Sequence, residues 1–378
     1  MRLFLMPLVL VGCIAPQPVL LPPQGDDVTV FLHGYRASFL ATKSGELAYV
    51  TPGQGLSKGD RSLAFSFEGQ REFPKYGPLH VVGPLTRLTA IPFFLDLDPY
   101  ASWMDWAKTA LPGFQVYAYD WRADIRESGR GLCERLAALG PSRRVRLIGH
   151  SMGGLVALSC LRSGHAGARS VVKVAFVGTP FKGGPGQWDD LQLGTPTSSN
   201  TALLSPEALL TFPSTWQLLA PAPDFFVDAN GAPVTLAAYD ARTWLDRRWG
   251  LFAEPAVRDS AAYRAQLEAR FQAHAELWRE LGDLDGPAPA WSALAIIGSG
   301  RSTVVGWRAS AGGDVDLTAP VRGDGDGTVP TARARPPRPI DFEAVATAAE
   351  HSALLNDDGV REVLRQFVAT ADQRRDAP

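Results

Sequence analysis

Between Asp27 and Gly178, short apolar runs alternate with stretches in which apolar residues recur every three or four positions. The runs Asp27–Leu32, Gln115–Tyr119, Arg144–Ile148 and Val171–Val177 are rich in Val, Ile, Phe and Tyr and too short for helices. They predict strands buried on both faces. Between them, Ala101–Leu111, Gly131–Gly140 and Gly154–Arg162 have helical composition. Strand and helix in alternation predict an α/β fold, a mostly parallel sheet with helices on both faces. The alternation stops near residue 187 and resumes after about residue 287, with Ser292–Ile297 and Thr303–Trp307. In the gap lie Trp188, Trp216, Trp244, Trp249 and Trp278, together with a long helix over Ser260–Leu281. Tyr263, Leu267, Phe271, His274, Trp278 and Leu281 form one apolar stripe along that helix. This predicts an inserted, mainly helical cap over about 187–287, whose aromatics either line a pocket or form the cap's own core. His274, on the stripe, is expected to be a satisfied core histidine.

Two regions are less regular. Within 41–99, Arg61–Phe67 alternates like a strand and Ile91–Leu95 is an apolar cluster broken by Pro92. A stretch of this length predicts either a functional flap or a loop tucked against the core. Near the end, a helix capped by Asp358 carries Val360, Val363, Leu364, Phe367 and Val368 on one face.

The chemistry centres on Gly149-His150-Ser151-Met152-Gly153-Gly154, which stands between a predicted strand and a predicted helix. Strand, glycine-flanked serine and helix in that order form the nucleophile elbow of an α/β-hydrolase. A Cβ at Gly149 or Gly153 would collide with the neighbouring helix or strand, and the turn exposes the Ser151 hydroxyl at the sheet edge. Asp27–Leu32 ends in His33-Gly34-Tyr35, so the backbone N–H groups of Tyr35 and Met152 are the candidate oxyanion donors. His33 is expected to shape that turn rather than to transfer protons. A serine nucleophile needs a base and the base an acid, in this fold in the chain order Ser, Asp/Glu, His. His165 precedes any acid and His274 belongs to the cap stripe, which leaves His351 as base. The acid falls in Gly323-Asp324-Gly325-Asp326-Gly327, where Asp326 is favoured over Asp324 as the end of a late core strand. Two carboxylates spaced by glycines make a weak cation site, so neither a metal nor any other cofactor is expected.

Composition narrows the setting. The chain has 378 residues, 46% of them hydrophobic, and a net charge of −2, which gives no reason to expect nucleic acid. Residues 1–12 combine a single early Arg2 with an apolar run, the form of a signal peptide. Leu10-Val11-Gly12-Cys13 resembles the lipobox of bacterial lipoproteins, which would make Cys13 the lipidated first residue. The proline-rich remainder of 13–26 would then be a tether, and 27–378 the α/β-hydrolase domain with its cap insertion. A plain secreted form is the alternative. Cys133 and Cys160 are two buried thiols or, in an oxidising compartment, a disulfide.

Five motifs occur together in order: Tyr119-Asp120-Trp121-Arg122, Gly149–Gly154, Gly178-Thr179-Pro180-Phe181, Gly325-Asp326-Gly327-Thr328-Val329-Pro330 and His351. The set resembles the lecithin:cholesterol acyltransferase-like and lipase families of α/β-hydrolases. That resemblance implies Ser151 as nucleophile, Asp326 as acid and His351 as base, with no catalytic role for Tyr119–Arg122. It implies a lipid or other carboxylic ester as substrate, and either water or an acceptor alcohol as the acyl group's destination. His33-Gly34-Tyr35 is more similar to the oxyanion turn of bacterial lipases than to the proline-glycine form common in acyltransferases. The expected protein is therefore an exported lipase or esterase held at a membrane by an N-terminal lipid. An acyltransferase and an inactive lipid-binding surface lipoprotein are the rivals.

Overall fold

Six strands pair side by side, all parallel: β1 (Asp27–Leu32), β2 (Phe114–Tyr117), β3 (Arg144–His150), β4 (Val171–Val177), β5 (Ser292–Gly298) and, after a hairpin, β8 (Phe342–Thr347). Their order across the sheet is β8-β5-β4-β3-β1-β2. The computed structural model describes residues 25–371 apart from 52–53, 55–62, 72–76, 87, 90–95, 98–99, 198–199 and 311. The expected leader, Cys13 and the tether up to residue 24, and the Ile91–Leu95 cluster, lie outside the described residues.

Side chains alternate between two apolar layers, as strands covered on both faces require. Val28, Val30 and Leu32 of β1 share one layer with helices α2 (Ile125–Ala138) and α3 (Met152–Arg162). Phe31 faces the other layer, built with α1 (Ala101–Ala110) and α5 (Asp358–Ala369). The cap of α5 is Asp357 rather than Asp358: its carboxylate accepts the Val360 N–H at 2.9 Å, one turn into the helix.

Three readings of the sequence need correction. Thr303–Trp307 lies in a strand, but outside the core sheet. It belongs to β6 (Arg301–Ala309), which pairs antiparallel with β7 (Val315–Gly325) and, on its other side, parallel with Phe226–Val227 from the cap region. Asp326, the expected acid, therefore follows a hairpin strand and not a core strand. The described part of the Arg61–Phe67 run, Leu63–Phe67, is not a strand either. Side chains take its backbone groups: Arg122 Nη1 donates to the Leu63 carbonyl (2.6 Å), and the Phe65 N–H donates to Thr211 Oγ1 (3.0 Å). Alternation without a partner strand left that run irregular.

The region around 187–287 is mainly helical, and its tryptophans pack on one another. Trp188 is fully buried and meets Trp244 at 5.3 Å and Trp249 at 5.0 Å between ring centroids, while Trp216 meets Trp244 at 5.1 Å. The long helix α4 (Ala261–Leu281) adds Phe271 to this cluster, 5.5 Å from Trp216. Of the two roles open to these aromatics, they take that of core. His274 is a core histidine: it stacks on Tyr239 (4.3 Å), with Nε2 shared between the Leu219 and Ala220 carbonyls. No helix among the described residues is long and apolar enough to cross a membrane.

Cys133 of α2 and Cys160 of α3 form a disulfide. It closes a loop of 27 residues, which in the chain-entropy picture stabilises the fold by roughly 3.5 kcal/mol. We expect peptide mapping without reductant to recover residues 133 and 160 cross-linked, and Cys133→Ser to shift the urea midpoint down accordingly. A midpoint unchanged by that substitution would refute the bridge's contribution.

Candidate active site

The site is assembled at the ends of β1, β3 and β5. Ser151 takes φ 54° and ψ −125°, a conformation a non-glycine residue holds only when its surroundings enforce it. The surroundings are close. A Cβ on Gly149 would sit 2.6 Å from the Gly154 Cα, and one on Gly153 would sit 2.6 Å from the His33 carbonyl oxygen. Strand, elbow and oxyanion turn thus meet backbone to backbone. Ser151 is only 9% exposed, less open than its place at a sheet edge suggests.

His351 begins the segment before α5. Its Nε2 lies 2.9 Å from Ser151 Oγ, and its Nδ1 2.7 Å from Asp326 Oδ2. The Asp326 carboxylate is 1% exposed and its Oδ1 accepts the Thr328 and Val329 N–H groups at 2.9 and 2.7 Å. Burial pushes this carboxyl up, but the hydrogen bond and charge of His351 and the two amides outweigh it, leaving the pKa below the usual carboxylate range. Asp324 is exposed and turned away, accepting from Thr331 Oγ1 (2.7 Å) and the Gly300 N–H (2.6 Å). Both carboxylates stand between glycines in the sequence; the hairpin register separates them in space.

The oxyanion side is held by its own network. Gly34 packs on the serine so closely that a Cβ there would lie 3.1 Å from the Ser151 Cβ. The Gly34 carbonyl accepts from His33 Nδ1 (2.8 Å), while His33 Nε2 accepts the Tyr119 N–H (3.2 Å). Because a trans peptide points its C=O and N–H to opposite sides, fixing the Gly34 carbonyl also fixes the Tyr35 N–H. Met152 is the first residue of α3, where an N–H has no intrahelical acceptor. His33 is fully buried, and desolvation pushes its pKa down to about 4, so it stays neutral and holds the turn. The Tyr35 hydroxyl hydrogen-bonds to Thr215, and Arg36 pairs with Asp190 at 2.9 Å, which docks the cap onto the same turn.

Two buried residues beside the site were not singled out from sequence. The Tyr100 hydroxyl lies 2.9 Å from the Gly34 nitrogen and 2.7 Å from His150 Nδ1. His150 Nε2 in turn lies 3.0 Å from the His351 carbonyl oxygen. Tyr119–Arg122 also acquires a purpose. Tyr119 donates its hydroxyl to the His33 carbonyl, and Arg122 is clamped to Asp120 through Nε and Nη2 at 2.9 and 2.6 Å. The motif braces the turn through Tyr119 and holds the Leu63 carbonyl through Arg122. Among the described residues no group of three or more His, Cys, Asp or Glu side chains is placed to hold a metal.

A family model described as a PGAP1-like alpha/beta domain matches residues 136–200, the stretch holding β3, Ser151, α3 and β4. No curated protein matches the sequence. Among solved structures, the chain is similar to one in the crystal structure of a Tle4–Tli4 complex. The identity is 15% and the TM-score 0.57, covering 92% of this chain and 100% of that one. A Bacillus licheniformis lipase, BlEst2, aligns at 12% identity over 94% of this chain and 97% of its own, with a TM-score of 0.40. EstA from Clostridium botulinum aligns at 10% over 93% and 89%, with a TM-score of 0.42. The first superposes closely enough to bear on the fold. By its sheet, its elbow and that one superposition, the chain has the α/β-hydrolase fold.

Three histidines are buried and depressed by desolvation: His33 and His274 to about 4, and His150 to about 3, the last also by the charge of His351. Each binds a proton in the unfolded chain below its ordinary pKa of about 6.5 but not in the folded one. Their stabilisation is therefore complete above that pH and lost as pH falls from about 6.5 toward 4, with a slope of up to about 1.4 kcal/mol per pH unit for each. The depressed Asp326 adds a further loss below about pH 4. Urea unfolding at pH 7 and pH 4.5 is expected to show a clear fall in stability; equal values would contradict the buried neutral state.

Proposed function

We propose that the protein is a serine hydrolase acting on lipid or other carboxylic esters through an acyl-enzyme. The reading rests on one observation above the rest, the line from Ser151 Oγ through His351 to Asp326 at 2.9 and 2.7 Å. His351 Nε2 takes the serine proton as Oγ bonds to the ester carbonyl carbon, and Asp326 stabilises the imidazolium through Nδ1–H. The N–H groups of Tyr35 and Met152 hold the oxyanion, each contributing about 3 kcal/mol in the transition state. Collapse breaks the ester C–O bond, and the leaving alkoxide takes the proton from Nε2. Water, deprotonated by His351, then attacks the acyl-enzyme and releases the acid and Ser151.

Export and anchoring through Cys13 belong to the same proposal. The Cys133–Cys160 disulfide supports them, because such bonds persist in oxidising compartments.

Ser151→Ala is expected to abolish turnover of a short p-nitrophenyl ester with an unchanged melting temperature. The wild type should be labelled by a fluorophosphonate on the peptide containing residue 151. Retained turnover in the variant would refute the reading; absence of labelling would favour an inactive lipid-binding lipoprotein. With a phospholipid and an acceptor alcohol, free fatty acid is expected, and an esterified acceptor would indicate acyl transfer instead. Metabolic labelling with palmitate in a bacterial host should mark the full-length protein and vanish in Cys13→Ala; equal labelling of both would exclude that attachment site.

A further inference from the structure

The buried pair Tyr100 and His150 plays no part in the proton transfers above, yet it spans the site behind the serine. The direction of its hydrogen bonds is fixed at both ends. The His351 carbonyl can only accept, so His150 Nε2 carries a proton and donates to it at 3.0 Å. His150 is neutral, since burial and the neighbouring His351 push its pKa down to about 3. Its Nδ1 is therefore an acceptor, and the Tyr100 hydroxyl donates to it at 2.7 Å. The same hydroxyl accepts the Gly34 N–H at 2.9 Å. A single ordered chain results: Gly34 N–H to Tyr100, Tyr100 O–H to His150, His150 Nε2–H to His351.

The two ends are the two arms of the site. Gly34 precedes the oxyanion donor Tyr35 and packs on Ser151, so displacement of its backbone moves the oxyanion turn against the nucleophile. His351 is pinned on its backbone from both sides, its N–H donating to the Asp326 carbonyl at 2.9 Å and its own carbonyl accepting from His150. Tyr100 is 3% exposed and His150 6% exposed, so water does not readily replace either link. From this geometry we infer that Tyr100 and His150 are positioning residues: together they set the oxyanion turn and the His351 base in register on opposite sides of Ser151. The inference rests on the serine-hydrolase reading. It also assigns His150, between Gly149 and Ser151, a duty that G-x-S-x-G leaves blank.

The test compares Tyr100→Phe, His150→Gln, His150→Leu and the double variant Tyr100→Phe/His150→Leu in the full-length protein. Each is measured for ester kcat and KM, for the rate and final stoichiometry of fluorophosphonate labelling, and for melting temperature. Tyr100→Phe keeps the ring and removes the link, so kcat and the labelling rate should fall about tenfold or more, as misplacement of reacting groups does, with KM and labelling stoichiometry unchanged. Glutamine can accept from Tyr100 and donate to His351, so His150→Gln should retain much more of the rate than His150→Leu. The double variant should be little worse than the worse single variant, because one chain is already broken. Wild-type rates in Tyr100→Phe, no advantage of Gln over Leu, or losses that multiply in the double variant would each overturn the inference, as would losses that follow melting temperature or labelling stoichiometry alone. A wild type that labels at Ser151 while Tyr100→Phe labels equally fast sinks the positioning role alone. A wild type that does not label sinks the hydrolase reading, and the positioning role with it.

Discussion

The site depends on a close approach of three backbones that leaves no room for side chains. Gly153, in the first turn of α3, lies against the carbonyls of Leu32 and His33, where β1 passes into the oxyanion turn. Gly149, at the end of β3, lies against the Gly153–Gly154 backbone. This contact brings the first N–H of α3 beside the turn that carries Tyr35, so the two candidate oxyanion donors share a place because the glycines allow it. Ser151 absorbs the remaining bend in a left-handed conformation, at a cost on the order of 1–3 kcal/mol. Its N–H bonds the Val177 carbonyl at 2.8 Å, and the buried neighbours on β3 and α3 keep the bend from relaxing.

Burying a site this polar is tolerable only when its donors and acceptors are matched, since a buried group left unpaired costs about 1–3 kcal/mol. The two neutral histidines beside Ser151 meet the condition in opposite ways. His33 donates from Nδ1 and accepts at Nε2; His150 accepts at Nδ1 and donates from Nε2. Each tautomer is dictated by a backbone group, a carbonyl or an amide that can bond in only one sense. Tyr119 is the partner that makes the first arrangement possible, with its N–H on the His33 ring and its hydroxyl on the His33 carbonyl. A motif that looked like a family hallmark without a role is thus an account of where the oxyanion turn's polar atoms go.

What was legible in the sequence was whatever obeys local rules. The β1, β3, β4 and β5 runs are apolar on both faces and read directly as central strands, and the elbow follows from its glycines. His351 followed from chain order, while the choice of Asp326 over Asp324, both flanked by glycines, rested on a core strand end that is in fact a hairpin strand end. Features set by distant partners were not legible. The edge strand β8, Phe-Glu-Ala-Val-Ala-Thr, has no fully buried position and lacks the continuous apolar run of its neighbours. Leu63–Phe67 has strand alternation but yields its backbone to Arg122 and Thr211, contacts that no local pattern encodes. Tyr100 sits in no motif, and its hydroxyl finds Gly34 66 residues away in the chain. His150 did carry a signal: a histidine inside a buried elbow must pair both ring nitrogens or pay for desolvating them.

The acid and the cap come together for a reason that runs through the hairpin. Asp326 lies just past β7, and it reaches the end of β5 because Gly298 has no side chain in its way. Thr303 of β6 steadies that approach by accepting the Gly327 N–H at 2.9 Å. The same β6 pairs with Phe226–Val227 of the cap region, and Trp307 donates its indole N–H to the Pro185 carbonyl at 2.8 Å. Acid-bearing hairpin and cap are therefore one three-stranded sheet, not two bodies in passing contact. The cap also grips the oxyanion turn through Asp190 and Thr215. It thus holds the acid on one side and the oxyanion turn on the other, with its tryptophans spent on its own core.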